Sequence, residues 1–183
     1  DQQCSLVRVE LTKAPGERTA VLRVEDDDPD GFANLRDAWT LFAESSKKAN
    51  PEKRGRFNLG EKIVLAVCEE ARIVSTTGTV VFDAAGRRHN RRGRERGTEF
   101  HARLRLTNAE FEACCAAMHR LLVPEGVVTT FNGVTLTARR PLATMEASLL
   151  TDVADAEGFL HRATRKTAVR VYEPLPGETA TLY

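Results

Sequence analysis

The chain has 183 residues, of which 42% are hydrophobic and 29% charged, and its formal net charge at pH 7 is +1. These values are typical of a soluble globular protein, and the length is sufficient for one full domain with part of a second. The near-neutral charge excludes a global attraction to nucleic acid or to membranes, so any such contact has to be local.

The first elements predicted along the chain are a β-hairpin and a helix. Apolar and polar residues alternate over residues 6–11 and 19–24, which predicts two strands joined by a turn at Ala14–Glu17. An acidic turn at residues 25–32 follows the second strand directly. Residues 34–44 then repeat apolar side chains at helical spacing, which predicts a helix.

A glycine-bounded loop, Gly55–Gly60, follows a polar stretch at residues 45–54 and leads into an apolar helix predicted at residues 63–71. The unpaired N–H groups at a helix start, together with nearby Lys and Arg side chains, favour an anion such as phosphate. The segment is not a standard P-loop, because Glu61 stands where that motif has its lysine. The alternative is a turn that only begins a core helix.

The remaining chain is predicted as strands, one capped helix and several turns. Thr107 to Glu110 has the pattern of a capping box, and Asn132-Gly133 is typical of a tight hairpin turn. The predicted strands are 72–76, 79–83, 101–106, 127–131, 134–139 and 168–172, with an arginine-rich turn before residue 101 and a helix from 107 to about 122. Strands with intervening helices predict a two-layer α/β sandwich, with a domain boundary near residue 107.

The cysteine pattern predicts a reduced, cytoplasmic protein, and the lengths of the apolar runs predict no membrane segment. The four cysteines form no C-x-x-C pair and have no zinc-type spacing with the four histidines. No apolar run approaches membrane-spanning length, and no signal peptide opens the chain. The chain starts at Asp1 rather than at a methionine, which indicates a fragment that lacks its N-terminal part.

The acidic turn has two functional interpretations. Its alternating aspartates and the following glycine match the spacing of a calcium loop, although a strand rather than a helix precedes them. Alternatively, an aspartate at the strand end accepts a hydrogen bond from a ligand's amino group, and the glycine lets the ligand pack against the backbone. A solvated acidic turn is the structural alternative. The calcium set is Asp26, Asp28, Asp30, Gly31 and Asp37.

The order of these features resembles the GHKL ATPases, the superfamily of gyrase, the heat-shock-90 chaperones, histidine kinases and MutL. A hairpin, an acidic turn, a helix, a polar lid with Gly-Arg-Phe-x-x-Gly, a second helix, a hairpin and Gly97-Thr98 follow one another in residues 1–106. The resemblance implies the Bergerat fold, an α+β class with a mixed sheet and helices on one face. It implies an ATP-binding domain at 1–106 that lacks its first helix, and an incomplete transducer-like region at 107–183.

The resemblance also implies which residues hold ATP and Mg²⁺. Val24 to Phe32 is similar to the adenine box in two registers, one with Asp26 and the other with Asp27 as the acceptor. Gly55 to Gly60 is similar to the lid box that wraps the triphosphate. The nucleotide-binding residues expected in this way are Asp26, Asp27, Gly31, Ser45, Ser46, Lys47, Gly55, Arg56, Phe57, Asn58, Leu59, Gly60, Lys62 and Thr98.

Hydrolysis in this family needs a helix with E-x-x-x-N-x-x-D before the first strand. Asp1-Gln2-Gln3 resembles the end of that helix, which implies that the general base lies upstream of Asp1 and that this chain holds no catalytic residue. The expected function is an ATP-binding module that couples nucleotide binding and hydrolysis to lid closure and domain movement. The alternatives are a regulatory module without turnover and a calcium-binding structural protein.

Partners follow from the same resemblance and from one basic run. The resemblance implies a homodimer that forms on ATP binding, and it makes Lys166 a candidate for the γ-phosphate, against a solvated basic turn. Arg87 to Arg96 has the charge to contact a nucleic-acid backbone, but no aromatic residues interleave it for base stacking, so nucleic acid is not favoured.

Overall fold

The computed structural model describes residues 3–40, 60–154 and 159–179. The chain divides into two compact units, Asp1–Thr137 and Ala138–Tyr183. The boundary expected near residue 107 therefore lies inside the first unit.

The first unit is built on an eight-stranded mixed sheet with the order β5-β4-β3-β6-β2-β1-β7-β8. Strands β1 and β7 pair in parallel, and the other neighbouring pairs are antiparallel. The strands are β1 (Leu6–Thr12), β2 (Thr19–Asp26), β3 (Cys68–Ser75), β4 (Gly78–Asp83), β5 (Gly86–Asn90), β6 (Glu99–Arg105), β7 (Val128–Phe131) and β8 (Val134–Thr135).

Three helical segments accompany this sheet in the described residues: a 3-10 helix at Leu35–Ala38, α1 at Gly60–Ala66 and α2 at Asn108–Met118. The predicted capping box of α2 is confirmed, because Thr107 and Glu110 exchange hydrogen bonds between side chain and backbone in both directions. No helix among the described residues is long and apolar enough to cross a membrane.

The expected two-layer α/β sandwich of the Bergerat type, with helices on one face, is wrong. The described chain is mostly β-structure, with a large mixed sheet and two short α-helices. The helix predicted at residues 63–71 ends at Ala66, and Cys68 begins β3, which pairs with both β4 and β6. A short apolar run is compatible with helix and strand alike, and here pairing on both sides decides for the strand.

Two further predictions are corrected by the structure, and one is confirmed. The helix predicted at residues 34–44 is a single 3-10 turn at Leu35–Ala38, and residues 41–44 lie outside the described residues. The arginine-rich segment predicted as a turn contains β5, which pairs with β4. The hairpin at Asn132-Gly133 is confirmed, with Phe131 opposite Val134 and positive φ angles of 47° and 81° in the turn.

The two faces of the sheet differ because side chains alternate along each strand. One face is apolar, and its buried residues include Val9, Leu11, Ala20, Ala71, Ile73, Val80, Ala102, Leu104 and Phe131. Phe111 and Met118 of α2 pack against one end of this face, and Trp39 after the 3-10 helix packs near Ile73 and Val80. The opposite face carries ion pairs between arginines and glutamates.

The second unit is an antiparallel ribbon of two long strands, β9 (Ala143–Ala154) and β10 (Leu160–Val171), whose register runs from Ala143 opposite Val171 to Ala154 opposite Leu160. The predicted strand at residues 168–172 is thus the end of a longer one. Lys166 lies within β10, so the basic turn predicted there is wrong.

Candidate functional site

Asp26 is the last residue of β2, and its side chain lies on the apolar face of the sheet. Val24 two residues earlier packs at the edge of the core, and Ala20 on the same side is fully buried. The Asp26 side chain is about half buried, and this desolvation is the main reason why its pKa is raised above the ordinary value. A carboxylate on an apolar sheet face needs a partner, and its two oxygens are used unequally.

One carboxylate oxygen of Asp26 is held by the backbone, and the other is open. Oδ1 accepts hydrogen bonds from the N–H of Asp28 at 3.0 Å and from the N–H of Thr98 at 3.2 Å. The N–H of Asp26 donates to the Thr98 carbonyl at 3.0 Å. Among the described residues, no hydrogen bond reaches Oδ2. The carboxylate is therefore oriented by the protein and presents one acceptor.

Thr98 places a hydroxyl beside this acceptor, and Ser75 holds that hydroxyl. Ser75 Oγ accepts a hydrogen bond from the N–H of Phe32 at 2.6 Å and lies 3.1 Å from Thr98 Oγ1. When the single Ser75 proton is donated to Thr98, the Thr98 hydroxyl keeps its own proton for a further acceptor. Ser75 is completely buried, and Thr98 is 8% exposed. The site thus offers the oriented Asp26 carboxylate and, from the residue whose N–H it accepts, a hydroxyl that can donate.

Two glycines let the loops around Asp26 approach each other. Gly31 has a φ of +57°, and a Cβ atom built on it would lie 2.4 Å from Ser75 Oγ. Gly97 has a φ of +76°, and its Cβ would lie 2.0 Å from the carbonyl oxygen of Asp26. A side chain at either position would meet neighbouring atoms in addition to an unfavourable backbone conformation.

Asp27, the other candidate for the adenine acceptor, has a different environment. Its Oδ1 accepts hydrogen bonds from the N–H groups of Ser5 at 2.7 Å and Leu6 at 2.9 Å, and the Ser5 hydroxyl donates to Oδ2 at 2.6 Å. The Ser5 hydroxyl and the Leu6 N–H hold the pKa of Asp27 at about 2. Arg96 pairs with the same carboxylate. Asp27 therefore anchors the start of β1.

The calcium interpretation of the acidic turn receives no support from the geometry. Asp28 accepts hydrogen bonds from the N–H groups of Gln3 and Asp30, while the carboxylates of Asp26 and Asp27 are directed to other backbone groups. In the ranges that the structure covers, no three metal-ligating side chains come together. The aspartates are instead used one by one to fix the turn.

The loop that carries Thr98 is held from the charged face of the sheet. Arg94 forms an ion pair with Glu25, the neighbour of Asp26 in β2, and lies 3.6 Å from Glu99. Burial disfavours the charged form of Glu99, but hydrogen bonds from Arg23 and Arg72 outweigh this effect, so its pKa is lowered. These ion pairs connect β2, β3 and β6 directly behind Asp26 and Thr98.

The residues expected to hold the phosphates are only partly described. Lys62 lies in α1, and its Nζ donates to the carbonyl oxygen of Asp37, which connects α1 to the 3-10 helix. Gly60 is the first residue of α1. The other expected phosphate ligands lie outside the described residues: Ser45, Ser46, Lys47, Gly55, Arg56, Phe57, Asn58 and Leu59.

Sequence reasoning missed Ser75, the residue that orients Thr98. Ser75 is 43 positions from Phe32 and 23 from Thr98 along the chain, so no local spacing links them. Its only sequence signal is a serine at the end of an alternating strand. The chain matches no known protein-family model and no curated protein sequence.

Proposed function

We propose that the first unit binds an adenine nucleotide through Asp26 and Thr98. The observation that carries this proposal is the half-buried Asp26 carboxylate with one oxygen engaged and Oδ2 open, beside the Thr98 hydroxyl. Adenine presents an amino group next to the N1 acceptor on one edge. The amino group donates to Asp26 Oδ2, and N1 accepts from Thr98 Oγ1, so donor and acceptor alternate correctly on both partners.

The surroundings suit a flat, largely apolar base. The apolar face continues from Asp26 through the partly buried side chains of Val7, Val24 and Phe100. Ligand sites typically combine such surfaces with a few fixed polar groups that orient the ligand. The two glycine turns hold the loops around Asp26 close to each other.

The phosphate part of the proposal rests on sequence resemblance. Ser45 to Lys47 and Gly55 to Gly60 are similar to the lid segments of GHKL proteins, and in this proposal they contact the triphosphate and Mg²⁺ of ATP. The same binding site serves an ATPase and a regulatory module without turnover, so the proposal here is for binding. Four free cysteines suit a cytoplasmic location.

The decisive variant is Asp26→Asn, because the structure dictates how the new amide must lie. Asp26 Oδ1 accepts two backbone N–H groups, so the amide oxygen of asparagine takes that place and its NH₂ group takes the place of Oδ2. Two donors then face each other when adenine binds, and we expect ATP affinity to fall about tenfold to a hundredfold. Inosine triphosphate carries an oxygen where ATP has the amino group, which suits the new NH₂ group, although its protonated N1 has to donate to Thr98 Oγ1 instead of accepting from it. The ratio of inosine triphosphate affinity to ATP affinity should therefore rise in the variant.

The measurement is calorimetric titration of ATP, ADP and inosine triphosphate into the wild type, Asp26→Asn and the neighbouring control Asp27→Asn. Each variant is first shown to be folded by circular dichroism. Asp27 contacts Ser5 and Leu6 rather than the proposed base position, so its variant should keep the wild-type order of the three ligands. Equal ATP affinity in wild type and Asp26→Asn, or the same loss in both variants, refutes the proposal.

Thr98 provides a second, independent test of the same geometry. Thr98→Val keeps the shape of the side chain but removes its hydroxyl, whereas Thr98→Ser keeps the hydroxyl. We expect weaker ATP binding in the valine variant and near wild-type binding in the serine variant. The opposite order would show that shape, rather than the donor, decides affinity at this position.

A further inference from the structure

Strand β5 ends one side of the eight-stranded sheet in the part of the chain that the structure describes. It spans Gly86–Asn90, and all five residues are exposed. An edge strand presents backbone N–H and C=O groups that a further strand can pair with. Proteins commonly protect such edges with charge.

The register shows which backbone groups of β5 face outward. A two-residue turn connects Asp83 to Gly86, so this closing pair is hydrogen-bonded, and so are the alternate pairs Val81 with Arg88 and Thr79 with Asn90. The N–H and C=O groups of Arg87 and His89 therefore point away from β4. Two donors and two acceptors stand in a row along the open edge.

Two side chains of this edge pack against an aromatic residue. The Arg87 guanidinium lies 4.5 Å from the ring centre of Trp39, and the His89 ring lies 6.1 Å from it. Trp39 in turn meets Phe82 of β4 edge to face. Because Arg87 covers Trp39, this ring is not a platform for base stacking. Side chains that already have packing partners lose less conformational entropy when a partner strand binds.

The edge also has an excess of positive charge. Arg88 pairs with Asp83, whereas the side chains of Arg91 and Arg92 are exposed just beyond the end of β5. On the neighbouring charged face, by contrast, arginines are paired with glutamates. The chain segment at residues 41–59 carries five basic and two acidic residues, so its charge does not complement this edge.

We propose that the β5 edge is an interaction surface that binds an extended acidic peptide segment of another protein by strand addition. The partner's backbone pairs with Arg87 and His89, and its carboxylates meet Arg91 and Arg92. Strand addition uses both the outward backbone groups and the charge, whereas a nucleic-acid backbone uses only the charge. Three strands separate β5 from β2, the strand that ends at Asp26, so this proposal does not rest on nucleotide binding there.

The first test leaves the protein unchanged. Fluorescence anisotropy compares a labelled peptide of alternating Glu and Val with the same peptide N-methylated at every residue, and with an oligothymidylate of the same charge. The N-methylated peptide has the same side chains and charge but no backbone donors in either register, so it should bind about tenfold more weakly or worse. Equal binding of the two peptides, tighter binding of the oligonucleotide, or no binding at all overturns the proposal.

The second test uses a matched pair of variants at one position. His89→Pro removes an outward N–H without taking a hydrogen bond from the β4–β5 ladder, and His89→Ala removes the same side chain but keeps the N–H. We expect about a tenfold loss of peptide affinity for the proline variant relative to the alanine variant. The same affinity in both folded variants would show that backbone pairing is not involved.

The charge contribution is tested by a third comparison. Arg91→Glu combined with Arg92→Glu should lower the affinity for the Glu-Val peptide about tenfold or more, because two exposed attractive charges become repulsive. Arg120→Glu, at an exposed position in the turn after α2, changes a charge of the same kind away from β5 and should leave binding within roughly twofold. Equal effects of both changes would indicate non-specific attraction and overturn the assignment to this edge.

Discussion

The contact between Gly31 and Ser75 brings the acidic turn to the end of β3, and it can be tested by a double-mutant cycle. In Gly31→Ala, the new Cβ would lie 2.4 Å from Ser75 Oγ at a φ of +57°. The left-handed backbone costs an alanine about 1–2 kcal/mol, and overpacking of this kind adds about 1–3 kcal/mol. We therefore expect the free energy of unfolding to fall by about 2–5 kcal/mol.

Ser75→Ala changes the same contact from the other side. It removes the hydroxyl that accepts the Phe32 N–H, which costs about 1–3 kcal/mol because a buried donor is left without a partner. In the double variant, the new alanine at position 31 no longer meets Ser75 Oγ. The combined loss should therefore be smaller than the sum of the single losses by about 1 kcal/mol or more.

Urea unfolding followed by the fluorescence of Trp39, the single tryptophan of the chain, measures all four members of the cycle. Gly126→Ala is the control, because Gly126 has a φ of +77° and its Cβ would meet nothing within 4 Å. This variant isolates the backbone cost and should not couple to Ser75→Ala. If the Gly31 and Ser75 losses add within about 0.5 kcal/mol, the close packing described here is wrong.

Three further predictions concern pH, the core and the α2 cap. The raised pKa of Asp26 means that the folded state prefers the protonated carboxyl. The resulting stabilisation is fully present below the unfolded pKa of 3.8 and is lost as pH rises through the folded pKa. In urea unfolding across this range, Asp26→Asn should therefore gain stability relative to wild type as pH rises. Phe131→Ala, at a position 3% exposed, should lower the free energy of unfolding by about 3–5 kcal/mol in the same assay. Thr107→Ala removes the N-cap of α2 and should lower the free energy of unfolding by about 0.5–2 kcal/mol, whereas Thr107→Ser keeps a capping hydroxyl and should lower it much less.

Local chemistry in the sequence was sufficient for several elements of the fold. Alternation over β1 and β2, the Thr107–Glu110 capping box and the Asn132-Gly133 turn each depend on residues a few positions apart. The expectation that Gly97-Thr98 supports an aspartate of the turn after β2 came from the resemblance rather than from local chemistry, since Thr98 donates its N–H to Asp26 across 72 positions of the chain. The sequence could not distinguish Asp26 from Asp27, because both occur in one short acidic run.

Only the tertiary structure separated these two aspartates. Adjacent side chains of a strand point to opposite faces, and pairing with β1 and β6 sets which face is apolar. This pairing placed Asp26 with Thr98 on the apolar side and Asp27 with Ser5 at the start of β1. Cys68–Ser75 became a strand for a related reason, since β4 and β6 satisfy its backbone from both sides. Contacts between segments tens of residues apart have no local pattern in the sequence, so the fold alone decided them.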